Sequence, residues 1–205
     1  MSSPITSFDG QYRFLSNFYP LRYPIVTGTP PVAYPTAEHA YQAAKSDDVG
    51  YRVEISQMPT PGLAKRAGQA VPLRADWERI KNDVMLDTLT RKFTSDDRLG
   101  LQLLLTGDSE LVEGNTWNDT YWGVCRGFGQ NWLGRLLMLV RDVIKARTIS
   151  INANRNRCGA CPGCITVTLT QRAVYAEIQP AGGGVNSQTV SMWNQILRDN
   201  PCTNR

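Results

Sequence analysis

Three stretches of the chain repeat their apolar residues at helical spacing between caps and breakers, and they restrict the fold to one built of helices. They are "DWERIKNDVMLDTLTRKF", "SDDRLGLQLLLTG" and "QNWLGRLLMLVRDVIKAR". In the first, Trp77, Ile80, Val84 and Phe93 fall near one stripe behind an Asp76 cap. Ser95 starts the second, and Gly107 ends it. "YPTAEHAYQAAKS", residues 34–46, predicts a shorter helix. Pro35 cannot continue a helix from upstream, Thr36 is a good N-cap, and the run from Ala37 is rich in alanine. "PGLAKRAGQ" allows another. Residues 7–34 mix aromatic and β-branched residues with prolines, which predicts a short hairpin or irregular loop turning at "TGTPP". "ELVEGNTWNDTYWGVCRGFG" is rich in turn residues, with room for a short strand or two. The expected fold is mainly α: a compact helical domain with a small β-hairpin or extended N-terminal part.

After Arg147 the composition changes. Residues 1–147 read as the main domain, and 148–157, "TISINANRNR", as a polar linker. Residues 158–205 read as a small Cys-rich appendage of ββα type, with a knuckle, two alternating runs and a final helix. A unit of that size is too small to hold itself together by burial alone. Cys158, Cys161 and Cys164 have metal-like spacing and Cys202 is a possible fourth ligand, so structural zinc is the metal considered. An iron–sulfur cluster of the bacterial type expects a cysteine where Thr168 stands.

Charge narrows the classes of partner. Residues 1–148 carry 17 Lys and Arg against 16 Asp and Glu, and residues 149–205 carry 5 against 2. A nearly neutral main domain argues against a protein whose chief task is gripping duplex DNA by its phosphates. It leaves open a pocket for one nucleotide, and a basic appendage that docks nucleic acid. The opening "MSSPITSFDG" lacks a basic region followed by an apolar run, and no stretch approaches the apolar length of a membrane span. The expectation is a cytoplasmic protein with no membrane partner; oligomeric state is open.

Two polar clusters carry the chemistry. In residues 34–46, Glu38, Tyr41, Gln42 and Lys45 share one helical face. A carboxylate at a helix N-terminus tends to stay ionised, which suits a base or a cation stabiliser more than an acid. Read locally, Glu38 is equally a residue that stabilises the helix end. In "GNTWNDTYWG", residues 114–123, Asp119 lies among asparagines and aromatics in a loop, the kind of segment that often carries function. Two carboxylates matter because cleavage of a glycosidic bond usually needs two such groups.

At these residues the chain resembles a known family. "FLSNFYP" at 14–20, "YPTAEHAYQAAKS" at 34–46, "LRADWERIKNDVM" at 73–85, "LLLTGDSELVEGNTWNDTYWGVC" at 103–125 and "GQNWLGRLLMLVR" at 129–141 fall in the order and spacing of the NADAR family, the YbiA-like N-glycosidases. The resemblance covers about residues 7–147. It implies a compact, mainly helical fold and cleavage of N-glycosidic bonds of ribose phosphates. One branch acts on phosphoribosylated intermediates of riboflavin synthesis; others remove ADP-ribose from guanine in nucleic acid. The family's glutamate falls on Glu38, its aspartate on Asp119 and the tryptophan of its "WG" on Trp122. No catalytic metal or other cofactor is implied. A Gly-Arg pair common in the family is Gly68-Gln69 here, so a phosphate contact by that arginine would be weaker or would pass to Lys65, Arg66 or Arg74.

The implied reaction is hydrolysis at C1 of the ribose, with ADP-ribosylated nucleic acid or a nucleotide-like small molecule as substrate. Glu38 is the base for water or the stabiliser of the cation, and Asp119 holds ribose hydroxyls or shares the acid/base work; both assignments stay open. Phe14, Phe18, Trp77 and Trp122 are candidates to stack on a base, though Phe18 and Trp77 read more readily as core. Lys45 and Lys81 are candidates for a phosphate or leaving group. Ser16, Asn17, Asn115 and Asn131 are candidates to hydrogen-bond ribose or base, and Gln42 and Gly123 complete the substrate-binding set. His39 is given a supporting role at most. The competing reading is a module that binds ADP-ribose or NAD without cleaving it.

Overall fold

Thr36 begins the central helix as its sequence suggests. Its hydroxyl accepts the His39 backbone N–H at 3.3 Å and meets His39 Nδ1 at 2.7 Å. The computed structural model describes residues 3–157, with side chains through residue 146. The chain divides into two compact units, residues 1–141 and 142–205.

A 3₁₀ turn, Gly10–Leu15, precedes a two-stranded antiparallel hairpin of β1 (Ile25–Thr27) and β2 (Val32–Tyr34), with Ile25 opposite Tyr34. Four helices follow in close order: α1 (Ala37–Ala43), α2 (Val49–Ser56), α3 (Pro61–Ala70) and α4 (Trp77–Thr94). Helix α1 packs against the other three. Its alanines allow this: Ala37, Ala40 and Ala43 join Ile25, Tyr34, Ile55 and Ala64 in one buried cluster. Helix α5 (Asp97–Leu105) ends at Gly107, whose φ of 61° reverses the chain. A loop then carries a short parallel pair, β3 (Gly114–Asn115) with β4 (Val124–Cys125), before α6 (Trp132–Arg157).

Three local expectations are corrected. Asp76 occupies the N-cap position of α4 but caps no backbone N–H. Its carboxylate is drawn away by Arg74, whose Nε donates to it at 2.6 Å. Helix α5 is capped by Asp96, which accepts the Arg98 N–H at 3.0 Å, while Ser95 closes α4. Helix α6 does not end at Arg147: residues 148–157, read as a linker, are helical, and they hold no glycine or proline to stop the helix. Helix α2 was not foreseen; Asp48 caps it by accepting the Tyr51 N–H at 2.6 Å.

The start of the chain is tied to the loop before β3. Ile5 bridges Leu111, donating its N–H to Glu110 O at 2.8 Å and accepting from Val112 N–H at 2.8 Å. Asn131 secures the other side of this segment. Its Oδ1 accepts the Glu113 N–H at 3.0 Å and its Nδ2 donates to Leu111 O at 2.8 Å.

Among the described residues no helix is long and apolar enough to cross a membrane. The ββα-like appendage and the zinc ligands Cys158, Cys161, Cys164 and Cys202 lie outside the described residues.

Candidate active site

Helix α1 carries Glu38 into the interior. Its side chain is 5% exposed, and Gln42, one turn on, donates its amide Nε2 to Glu38 Oε1 at 2.7 Å. The Glu38 backbone N–H donates to Asn17 O at 3.0 Å, which fastens the "FLSNF" loop to the head of the helix. Burial raises the Glu38 pKa above the ordinary carboxylate value, while the Gln42 hydrogen bond and the charges of Lys65 and Lys45 pull it back. Burial thus works against the ionisation that a helix N-terminus favours.

The second cluster is a built loop. Asn115 donates Nδ2 to Asp119 O at 2.7 Å and accepts the Asp119 N–H on Oδ1 at 3.1 Å. This closes residues 115–119 into a tight turn with Asn118 at φ 67°. Asp119 Oδ1 then accepts the N–H groups of Tyr121 at 3.1 Å and Trp122 at 2.9 Å. One oxygen of Asp119 thus shapes the loop. The Trp122 ring meets Tyr41 edge-on at 5.4 Å and Tyr121 at 5.1 Å, and Tyr41 lies 5.2 Å from Trp77. This aromatic row connects the loop to α1 and α4.

Two charged residues that sequence reasoning passed over belong to the same region. Glu113 feels the charges of Asp119, Lys65, Lys92 and Glu38; burial, then the Asp119 charge, push its pKa up to about 7. Its Oε2 is buried without a hydrogen-bond partner among the described residues. Gly123 makes room for it, since a Cβ there would collide with the Glu113 carbonyl and crowd its Cγ. Lys92 is 1% exposed and donates Nζ to Ser16 O at 2.8 Å and Leu15 O at 3.4 Å. Burial lowers its pKa to about 7, against the opposing pull of Glu113. Both had a signal. In extended chain, Glu113 falls on the same side as buried Leu111, and on α4 Lys92 continues the stripe of Met85 and Leu89.

The predicted substrate residues separate into groups. Gln42 and Lys45 lie with Glu38, and Trp122 packs on Tyr41 of the same helix; Lys45 Nζ donates to Gly68 O at 2.8 Å and stands 5.9 Å from the Tyr41 ring. Burial lowers the Lys45 pKa, and the Glu38 charge raises it. Lys81 lies over the Tyr121 ring at 4.1 Å and pairs with Glu78 at 2.6 Å. Ser16 and Asn17 form the loop that caps Glu38, with Ser16 Oγ accepting the Phe18 N–H. Asn17 Oδ1 is buried without a partner among the described residues. Asn115 and Asn131 have both amide atoms engaged by backbone, and Gly123 serves close packing. Phe14 and Trp77 are buried, Phe14 packing edge-on against Phe93. His39 is buried, with Nε2 donating to Met58 O at 3.1 Å and its pKa lowered by burial. Of the cations considered for a phosphate, Arg74 is engaged by Asp47 at 3.0 Å and by Asp76. Lys65, like Lys45, has a charge that reaches Glu38. Gly68 explains its own identity: a Cβ there would collide with the Gln42 amide oxygen. Among the described residues no group of three or more His, Cys, Asp or Glu is placed to hold a metal ion.

A NADAR domain model matches residues 6–145. The chain belongs to the NADAR family. Within that family it is 44% identical over 112 residues to N-glycosidase YbiA of Escherichia coli (strain K12), covering 53% of this chain and 69% of the relative. It is 37% identical over 150 residues to Riboflavin biosynthesis protein VVA0006 of Vibrio vulnificus (strain YJ016), covering 71% of this chain and 40% of that longer protein. The NMR structure of Escherichia coli YbiA superposes with a TM-score of 0.62 at 36% identity, over 73% of this chain and 89% of that one. The helical NADAR fold with its small sheet therefore accounts for the first unit.

Proposed function

We propose that this protein hydrolyses the N-glycosidic bond of a ribosylated base, and that its substrate is ADP-ribose attached to guanine in nucleic acid. Membership of the NADAR family and relatives named as N-glycosidases support an enzyme of this class. The observation that carries the reading is Glu38, a buried carboxyl with one oxygen held by Gln42 and with its charge coupled to Asp119, Lys45 and Lys65.

The C1–N bond breaks with its electron pair leaving on the base nitrogen. The ribose develops oxocarbenium character, which the Glu38 carboxylate stabilises at close range. Water adds to C1 and gives its proton to Glu38, whose raised pKa makes it a stronger base than a solvated carboxylate. Glu113, titrating near neutrality, returns a proton to the departing base. Oδ2 of Asp119 takes the ribose hydroxyls, Oδ1 being held by the backbone of Tyr121 and Trp122. Lys45 and Lys65 offset the phosphate charge. Water is the only co-substrate the step requires.

A second reading keeps the chemistry and changes the substrate to phosphoribosylated riboflavin intermediates. The relatives named for riboflavin biosynthesis in Vibrio vulnificus and Zea mays favour it. One chromatographic assay of product release separates the two, using guanine-ADP-ribosylated DNA and the riboflavin intermediates with wild type and Glu38→Gln in parallel. Release from the DNA by wild type alone supports the first reading. Release only from the intermediates transfers the assignment, and release from neither removes both substrates.

A further inference from the structure

We infer that Phe18, Lys65 and Trp117 form a nucleotide-binding subsite at the rim of the site, where Trp117 stacks on a flat base and Lys65 takes its phosphate. The subsite rests on the reading of the site as one for a ribosylated base and names where a phosphate-bearing heterocycle is held.

The three residues come from three separate segments: the "FLSNF" loop, helix α3 and the turn closed by Asn115 and Asp119. Lys65 Nζ stands 5.8 Å from the Trp117 ring and 6.0 Å from the Phe18 ring. Those distances are at the outer limit of a cation–π contact. The ammonium is thus bordered by both rings and stacked closely on neither, which leaves its charge for an anion. It is also the cation whose field reaches both Glu38 and Glu113, so the rim is electrostatically continuous with the inner carboxyls.

Trp117 is 60% exposed and Phe18 37% exposed. The exposure of Trp117 is enforced: the reciprocal Asn115–Asp119 hydrogen bonds close the turn beneath it, and Asn118 holds a left-handed conformation at φ 67°. A large aromatic side chain held outward on a tied turn beside a lysine presents a π-face and a charge together. A base carrying a phosphate matches both. An anion lacking a ring would use Lys65 alone, and an apolar ligand would leave the ammonium without a counter-charge.

Calorimetric titration of the full chain with AMP and with ribose 5-phosphate tests this, with chromatography verifying that the AMP remains intact. Wild type is expected to bind AMP at least about tenfold more tightly than ribose 5-phosphate, the size of effect a base–aromatic stack supplies. Trp117→Ala should bring AMP down to the ribose 5-phosphate affinity, and Trp117→Phe should restore most of the difference. Lys65→Gln should weaken both ligands and flatten their salt dependence. Equal affinities in wild type, or an AMP affinity unchanged by Trp117→Ala, would overturn the subsite. Circular dichroism of each variant separates these outcomes from misfolding. Turnover of N-glycosides is a separate readout. AMP binding through Trp117 without turnover leaves the subsite and removes the hydrolase, and turnover with equal affinities does the reverse.

Discussion

Replacing Glu113 by glutamine should make the protein more stable at neutral pH and leave it little changed at acid pH. The carboxyl is largely buried and its Oε2 has no hydrogen-bond partner among the described residues. Its pKa rises from 4.5 to about 7 in the folded chain. At about 1.4 kcal/mol per pH unit, that displacement corresponds to a cost on the order of 3 kcal/mol once the group is ionised. A raised folded value means the native state binds the proton more tightly than the unfolded chain does. The stability from holding that proton is complete below pH 4.5 and is lost as pH climbs through 7. Lys92 acts in a different window. Its folded pKa is lowered from 10.5 to about 7, so its cost is felt at and below neutrality and is relieved as pH rises toward 10.5. Urea unfolding at intervals from about pH 5 to 7.5 therefore isolates the glutamate. The stability of Glu113→Gln minus that of wild type should grow with pH by on the order of 3 kcal/mol and then level off. A difference that stays constant, or shrinks as pH rises, would refute the buried, proton-holding role of Glu113.

Four further outcomes follow from the geometry. Glu38→Gln should lower turnover by about 10²- to 10⁴-fold while thermal unfolding and ligand affinity stay near wild type; retained turnover would remove Glu38 from the chemistry. Gly68→Ala should destabilise by about 1–3 kcal/mol and lower kcat, because the new methyl displaces the Gln42 amide that holds Glu38; chemical unfolding and steady-state kinetics read both effects. Asn131→Ala should cost about 2–3 kcal/mol by leaving the Glu113 N–H and Leu111 carbonyl without their partners, and denaturant titration measures it. Thr36→Ala should cost about 1 kcal/mol through the lost cap, seen as a lower unfolding midpoint.

The helices were legible where breaker, cap and apolar spacing agreed. Pro35 and Thr36 mark α1, Gly107 marks the end of α5, and the hairpin turns where Gly28 and its neighbouring prolines stand. Signals that depend on competition were not legible. Asp76 has the chemistry of a cap, yet Arg74 takes its carboxylate, and no local rule ranks the two partners. At the site, Glu38 and Asp119 were reached through motif resemblance, and their surroundings were not. Asn115 and Asn131 look like ligands for a sugar because their amides are polar, whereas in the fold those amides replace backbone hydrogen bonds in a segment with little regular structure. Phe14 looks like a stacking ring and is core. Lys92 was hidden by its charge. A lysine on an apolar stripe reads as solvated until the Leu15 and Ser16 carbonyls come into view.

The bridge between Ile5 and Leu111 bears on how the enzyme comes into being. The segment that bears Glu113 leans on Ile5, made long before it, and it is secured from behind by Asn131, made after it. A nascent chain therefore makes the helix that bears Glu38 well before it can secure the segment that bears Glu113. Closing that long-range pairing is slow compared with forming the local helices between. Activity should arrive abruptly and late, after translation has passed Asn131, so a ribosome-stalled chain ending ahead of that residue would carry folded helices and no turnover.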